Sequence, residues 1–302
     1  MDTGLDAFAS LGNNAMVAPM TPVVAIVAPG AMGAGVGKRL TSHGVRVLTS
    51  LAGRSEATGA RAREAGMVAA SDEELAAADF ILSILPPGAA LALAQRFAPA
   101  LAASNAKPVF VECNAINPAT VARVAAVIAR TGCAFVDAGI IGPPPKGGDA
   151  GPRVYASGDA AKRFASLRQY GLDVRILEGP LSAASALKMC YGGINKGTQA
   201  LGAAMMLAAM RAGSADALFE ELSFSQKEML AQFKQQLPKM PAKAYRWIAE
   251  MQEIASFAGD DPAARVLIEG AARFYEQMAQ DFAGDQKASA GLERFLLKDA
   301  KQ

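Results

Sequence analysis

Lys188 lies in Ala183-Ala184-Ser185-Ala186-Leu187-Lys188-Met189-Cys190-Tyr191, a helical stretch with no other charge. An ammonium among Ala, Leu, Met and Cys either extends along its stem to the surface or is held in a site. In a site, desolvation lowers its pKa toward the range useful for general acid/base work. A second candidate is Val23-Val24-Ala25-Ile26-Val27-Ala28-Pro29-Gly30-Ala31-Met32-Gly33. An apolar, β-branched run stops there at a Gly-containing turn, and a helical segment follows from Ala34 to His43. A strand, a tight turn and a helix in that order suit a dinucleotide pyrophosphate. Backbone can approach phosphates closely at Gly30, Gly33 lets helix and strand pack closely, and the helix N-terminus offers unpaired N–H groups. The spacing is that of G-x-G-x-x-G, with Ala28 in place of the first glycine.

A third candidate follows the strand-like Val45–Thr49. Ser50, Arg54 and Ser55 stand there, with no Asp or Glu. An acidic residue at that point would hold the ribose 2′-OH of NAD, whereas a guanidinium with hydroxyls suits a 2′-phosphate. NADP is therefore the expected cofactor, with NAD as the alternative.

The elements that must position these groups recur in a regular order. Strand-like runs are Val23–Val27, Val45–Thr49, Phe80–Leu85, Pro108–Cys113 and Ala134–Ala138, then Arg153–Ser157 and Val174–Leu177. Most are apolar throughout, as strands covered on both faces of a parallel sheet are. Helical segments Glu56–Ala65, Asp72–Ala77, Ala89–Ala102 and Pro118–Thr131 alternate with them, predicting an α/β fold with a doubly wound, Rossmann-type sheet. Beyond Gly179-Pro180 the pattern is helical: Ser182–Ala212, Ala215–Gln235, Lys243–Ala258, Ala263–Phe282 and Lys287–Asp299. The expected organisation is a loose tail over residues 1–20, a dinucleotide-binding domain over 21–180 and an all-helical domain over 181–302.

Composition excludes several classes. The 302 residues carry 30 basic and 28 acidic side chains, a net charge of +2, so no overall field favours nucleic acid or a membrane surface. Charge, Gly or Pro interrupts every apolar run well before the ~20 residues of a membrane span. The N-terminal stretch lacks the basic and apolar regions of a signal peptide. The three cysteines show no metal-ligand spacing and read as small buried residues, and one is left without a partner in the chain, which fits a reducing compartment. The cytoplasm is expected. The single His, His43, precedes Gly44 at a helix end and reads as a cap.

The chain resembles the β-hydroxyacid dehydrogenases, the group of 3-hydroxyisobutyrate dehydrogenase, tartronate semialdehyde reductase and 6-phosphogluconate dehydrogenase, from about Val23 to Phe282. Four ordered segments carry the resemblance: Gly30-Ala31-Met32-Gly33; Val111-Glu112-Cys113-Asn114-Ala115-Ile116-Asn117-Pro118-Ala119-Thr120; Phe135-Val136-Asp137-Ala138-Gly139-Ile140-Ile141-Gly142; and Gly179 through Lys188. The resemblance implies that Lys188 is the family's acid/base lysine, giving a proton to the carbonyl oxygen as hydride arrives. With the loop residues above, the expected cofactor set is Gly30, Ala31, Met32, Gly33, Ser50, Arg54, Ser55, Leu85, Pro86, Asn114 and Arg246. Asn114, Gly142, Pro143 and Asn195 are expected at the substrate. A homodimer, with a small carbonyl or hydroxy compound bound between the two domains, is implied as well. No metal is expected.

The departures from the family pattern are specific. Gly192 replaces the Asn four residues after the lysine, with Asn195 as a partial substitute on the same helix face. Ile141-Gly142-Pro143 replaces Ser-Gly-Gly. Gly192 and Gly193 are expected to leave space beside the lysine, in a less polar pocket for a bulkier substrate. Arg246 falls near the family's Lys of a Lys-Asp pair, with Trp247 at the Asp position. Two alternatives stand beside the dehydrogenase reading. An imine reductase has this architecture, but usually lacks the lysine. A cofactor-binding sensor without catalysis would explain Gly192 and Ile141.

Overall fold

The computed structural model describes residues 21–145 and 151–298. The tail expected over residues 1–20 and the last residue of the helix expected to Asp299 lie outside the described residues. The first part of the chain alternates as the apolar runs predict: β1 Val23–Ile26, α1 Ala31–Ser42, β2 Arg46–Thr49, α2 Glu56–Glu64, β3 Val68–Ala69, α3 Asp72–Ala76, β4 Phe80–Ser83, α4 Ala90–Ala103, β5 Val109–Glu112, α5 Pro118–Ala129, β6 Ala134–Ile141, β7 Arg153–Ser157, α6 Ala161–Phe164 and β8 Asp173–Ile176.

The eight strands form one sheet in the order β3-β2-β1-β4-β5-β6-β7-β8. Successive residues of β1 serve opposite layers. Val24 and Ile26 pack with Val36 and Leu40 of α1, while Ala25 and Val27 pack with Leu93 and Phe97 of α4 and Val121 of α5. Both faces are covered, which is why these strands show no apolar–polar alternation. The doubly wound sheet is parallel except at one pair, where β7 runs antiparallel to β6. Only residues 142–152 separate the two strands, fewer than a parallel crossover requires. The direction of winding reverses between β1 and β4, and ligands of open α/β sheets bind at the strand ends of such a switch point.

The rest is helical: α7 Ala183–Arg211, α8 Ala215–Ser225, α9 Lys227–Gln236, α10 Pro241–Phe257, α11 Pro262–Ala283 and α12 Lys287–Leu296. Met189, Met206, Phe219, Phe233, Met251, Tyr275 and Phe295 are among its buried residues. The single helix expected over Ala215–Gln235 is broken at Gln226 (φ −134°, ψ 46°). Ser223 and Ser225 donate back to the Phe219 and Glu221 carbonyls just before the break, a side-chain competition that weakens and bends helices. His43 caps α1 as expected, with Nδ1 donating to the Arg39 carbonyl at 2.8 Å. Cys113 and Cys133 are buried, but Cys190 is exposed, because its neighbour Met189 takes the core-facing position.

Candidate active site

The dinucleotide turn is built for an anion. Gly30 is the extended N-cap of α1 (φ −67°, ψ −173°), with no side-chain cap and no acidic residue in the first turn. The first N–H groups of a twelve-residue helix therefore lack a side-chain acceptor. A Cβ at Gly30 would meet nothing within 4 Å, so the approach is open, whereas a Cβ at Gly33 would lie 2.2 Å from the Ala28 carbonyl oxygen. Helix and strand are thus in contact at Gly33, where only hydrogen fits. Ala28, in place of the first glycine, is accommodated, and its carbonyl accepts from Gly30 N at 2.9 Å. Ala31 is exposed and Met32 half-buried at the same turn. These residues fit a dinucleotide pyrophosphate.

At the end of β2 the expected cluster is divided. Arg54 and Ser55 are exposed, and Ser55 caps α2 by accepting from Thr58 N. Ser50 is buried, and its hydroxyl accepts from Arg96 Nη2 at 3.3 Å, with Arg96 forked onto Asp72 at 2.7 and 2.9 Å. Arg61 of α2 reaches back to the Pro29 carbonyl at 3.4 Å, setting a further guanidinium beside the dinucleotide turn. Sequence reasoning passed over Arg61 and Arg96 because both lie on helices away from the fingerprint.

A buried polar row crosses the sheet beneath Lys188. Ser83, Glu112, Asp137 and Ser157 stand in register on β4, β5, β6 and β7, all at 0% exposure. Asn114, just beyond β5, accepts from Leu85 N at 2.6 Å and donates to Ser83 Oγ at 2.9 Å, so its amide braces the Leu85–Pro86 turn. Glu112 Oε1 accepts from Asn114 N at 2.8 Å, while Oε2 has no partner. Burial pushes the Glu112 carboxyl up to about 7 against those hydrogen bonds. Asp137 accepts from Ser185 N at 2.7 Å and from Ser185 Oγ at 2.5 Å, and Ala184 N donates to Ser157 Oγ at 3.0 Å. A carboxylate at a helix N-terminus is favoured by the helix dipole, but burial raises Asp137 to about 6.

Lys188 follows one turn later. It is half-buried, and its Nζ donates to the Cys113 carbonyl at 3.1 Å. The amine therefore turns inward to the end of β5, and the alternative that it extends to the surface falls away. Burial lowers its pKa, opposed by the nearby carboxylates, Glu250 before Glu112.

The substrate-side residues are dispersed. Gly142 has φ +131°, a conformation that suits glycine, and Pro143 is exposed. Asn195 Oδ1 accepts from Gln199 Nε2 at 2.6 Å. The space expected beside the lysine is filled. A Cβ at Gly192 would lie 3.4 Å from Ile254 Cδ1 and 3.7 Å from Lys196 Nζ, and one at Gly193 would lie 3.2 Å from Ile254 Cγ2. Arg246 is exposed, its guanidinium 5.9 Å from the Tyr245 ring centroid. Helix α10 instead sends Glu250 to Lys196 at 2.7 Å and Glu253 to Asn117 N at 2.9 Å. Trp247 packs edge-on against Tyr275 at 5.2 Å. Lys196 was legible by spacing, since positions eight apart share a helix face. Among the described residues no cluster of metal-ligating side chains occurs, and no helix is long and apolar enough to cross a membrane.

A Rossmann-type sheet with an open anion cradle, followed by helices that return a lysine to its strand ends, defines a dinucleotide-binding protein of dehydrogenase architecture. Residues 23–169 match the NAD binding domain of 6-phosphogluconate dehydrogenase, and residues 209–278 match a domain of unknown function, DUF1932. The conserved protein MTH1747, of unknown function and reported as structurally similar to 3-hydroxyacid dehydrogenases, is 29% identical over 85% of this chain and 97% of its own, with a TM-score of 0.68. The 3-hydroxyisobutyrate dehydrogenase of Mycobacterium tuberculosis, solved with L-serine, is 22% identical over 91% of this chain and 99% of its own, with a TM-score of 0.67. The Myxococcus stipitatus imine reductase in complex with NADP+ is 20% identical over 91% of this chain and 100% of its own, with a TM-score of 0.51. No curated protein matches the sequence significantly. The chain fits the β-hydroxyacid dehydrogenase family, as a form whose helical part carries the DUF1932 match.

Proposed function

We propose that the protein is an NADP-dependent oxidoreductase that interconverts a hydroxy group and a carbonyl, with Lys188 as general acid/base. The observation that carries this reading is the inward-turned Lys188 amine, 3.1 Å from the Cys113 carbonyl. It lies on the side of the sheet where β1 and β4 end. A bound nicotinamide supplies hydride to the carbonyl carbon in reduction and accepts it in oxidation. The Lys188 ammonium gives a proton to the carbonyl oxygen, and its amine takes one back in the reverse direction. The Cys113 carbonyl holds one N–H of the ammonium, and burial weakens the amine's grip on its proton, which eases the transfer. Arg54 and Ser55, with no carboxylate at the end of β2, support NADP over NAD.

Imine reduction is the second reading, favoured by the likeness to the M. stipitatus enzyme, and Lys188 weighs against it. A sensor that binds cofactor without turnover is the third, resting on Gly192 and Ile141. The deciding experiment follows oxidation of NADPH and NADH with a panel of aldehydes, ketones, oxoacids and cyclic imines. The expected result is carbonyl turnover that prefers NADPH, with Arg54→Ala lowering kcat/KM for NADPH about tenfold and leaving NADH unchanged. Turnover of imines alone supports the second reading, and cofactor binding without any turnover supports the third.

Two further expectations belong with this reading. The division between the domains is placed at 180/181, between β8 and α7. The protein is a homodimer, with Tyr191, Ile194, Leu201 and Met205, all exposed, forming a seam along α7 at spacings of three, seven and four. Leu201→Glu is expected to shift the sedimentation equilibrium to monomer. An unchanged mass would remove α7 from the interface. Three cysteines without disulfides support a reducing compartment, with the cytoplasm as the simplest one.

A further inference from the structure

Proton transfer by Lys188 leaves two neighbouring charges without a role, Lys196 and Glu250. Gly192 lies one turn beyond Lys188 on α7, and Lys196 one turn beyond that. The Lys196 side chain folds back along the helix, so that its Nζ is 3.7 Å from the point where a Cβ at position 192 would stand. It pairs with Glu250 at 2.7 Å, in a setting where the two side chains are 16% and 28% exposed, and it lies 5.7 Å from the Trp247 ring centroid. Trp247, Glu250 and Ile254 occupy one face of α10, at spacings of three and four. That face fills the groove left by Gly192 and Gly193. Glu253, three residues on, accepts from Asn117 N at the start of α5 and fastens α10 to the sheet domain.

The charged groups around Lys188 come from several elements packed on it: Glu112 at the end of β5, Asp137 on β6, Lys196 on its own helix and Glu250 on α10, while burial keeps the Cys113 thiol protonated. Of these groups Glu250 alone comes from the segment that matches DUF1932, and it pairs with Lys196 at 2.7 Å.

We propose that Glu250 is a positioning residue for Lys188. It pins Lys196 in the gap left by Gly192 and offsets that second ammonium, so the DUF1932 segment governs the charge state of the site. The inference rests on the reading of Lys188 as proton donor, but its test does not require turnover. Burial is the largest influence on Lys188, and among its charged neighbours Glu250 acts most strongly, favouring the ammonium, while Lys196 opposes it. Loss of Glu250 must therefore make Lys188 a weaker base, and loss of Lys196 a stronger one.

The experiment is an NMR titration of the full chain with lysines 13C-labelled at Cε, the Lys188 signal being the one absent from Lys188→Met. Glu250→Gln is expected to lower the Lys188 titration midpoint by about one pH unit, and Lys196→Met to raise it by a smaller amount. Gly192→Asn, whose side chain needs the space of the ammonium, is expected to follow Lys196→Met. Glu250→Asp, which keeps the charge, restores most of the midpoint. Should Glu250→Gln fail to fold, Lys196→Met and Gly192→Asn decide. Unmoved midpoints, or shifts of one sign in all variants, overturn the proposal. If the midpoints move as expected but no carbonyl or imine is turned over, the enzymatic reading falls and the coupling stands. Turnover that depends on Lys188, with midpoints indifferent to Glu250, gives the opposite outcome.

Discussion

Lys188→Met is expected to lower carbonyl turnover by about 10²–10⁴-fold, the range spanned by a positioned general acid. NADPH affinity should change by less than about threefold, because the cradle at Gly30 and α1 involves no atom of Lys188. Methionine keeps most of the stem's volume, so packing between α7 and β6 survives, and what disappears is the donor held by Cys113. Steady-state kinetics beside a fluorescence titration of NADPH separate the two effects. The pH dependence has a definite sign. Reduction requires the ammonium, so its rate is flat at low pH and falls as pH rises through a Lys188 pKa that burial has lowered. Oxidation requires the free amine and shows the mirror profile. A variant that keeps turnover removes Lys188 from proton transfer and leaves the cofactor cradle intact.

Glu112→Gln should have the largest effect on stability. The folded protein holds the Glu112 proton up to about pH 7, against 4.5 for the unconstrained group. Below pH 4.5 both states carry the proton and burial costs no charge. As pH rises from 4.5 to 7 the unfolded chain releases its proton first, so stability falls by an amount on the order of 3 kcal/mol and stays lower above that window. Asp137, raised from 3.8 to about 6, acts with the same sign over a lower window. Glutamine cannot ionise. Urea unfolding should find the variant and the wild type similar near pH 4.5, and the variant more stable by about 1–3 kcal/mol at pH 8. An equal loss of stability in both proteins between those pH values would show that Glu112 is not the titrating group.

The dinucleotide fold was legible because its signals are local. The apolar run of β1, the missing Cβ at Gly30 and the contact forced at Gly33 all lie within a dozen residues, and an uncharged helix isolates Lys188. What escaped needs pairing at a distance. Glu112 and Asp137 lie far apart in the chain, and only the register of β5 on β6 sets them side by side. Helix α10 divides its polar side chains among different partners, Glu250 turning to Lys196 on α7, Glu253 to the start of α5 and Arg246 to solvent, and no local pattern foretells which goes where. Gly192 read as a space because the sequence does not show a lysine folding back over it. The antiparallel β7 follows from a short connection, while the strand pattern itself is the same for either direction.

Asp137 and Ser157 grip the first turn of α7 at Ser185 and Ala184, and Lys188 hangs only three residues further on. That lever is about 4.5 Å long, too short to bend. The amine is therefore indexed to the nucleotide half of the molecule, whatever the remaining helices do. Divergence among those helices can reshape the wall opposite the cofactor while the ammonium keeps its station. In the proposed reaction, one half of the chain would dictate where the proton is offered, and the other how readily it is given up.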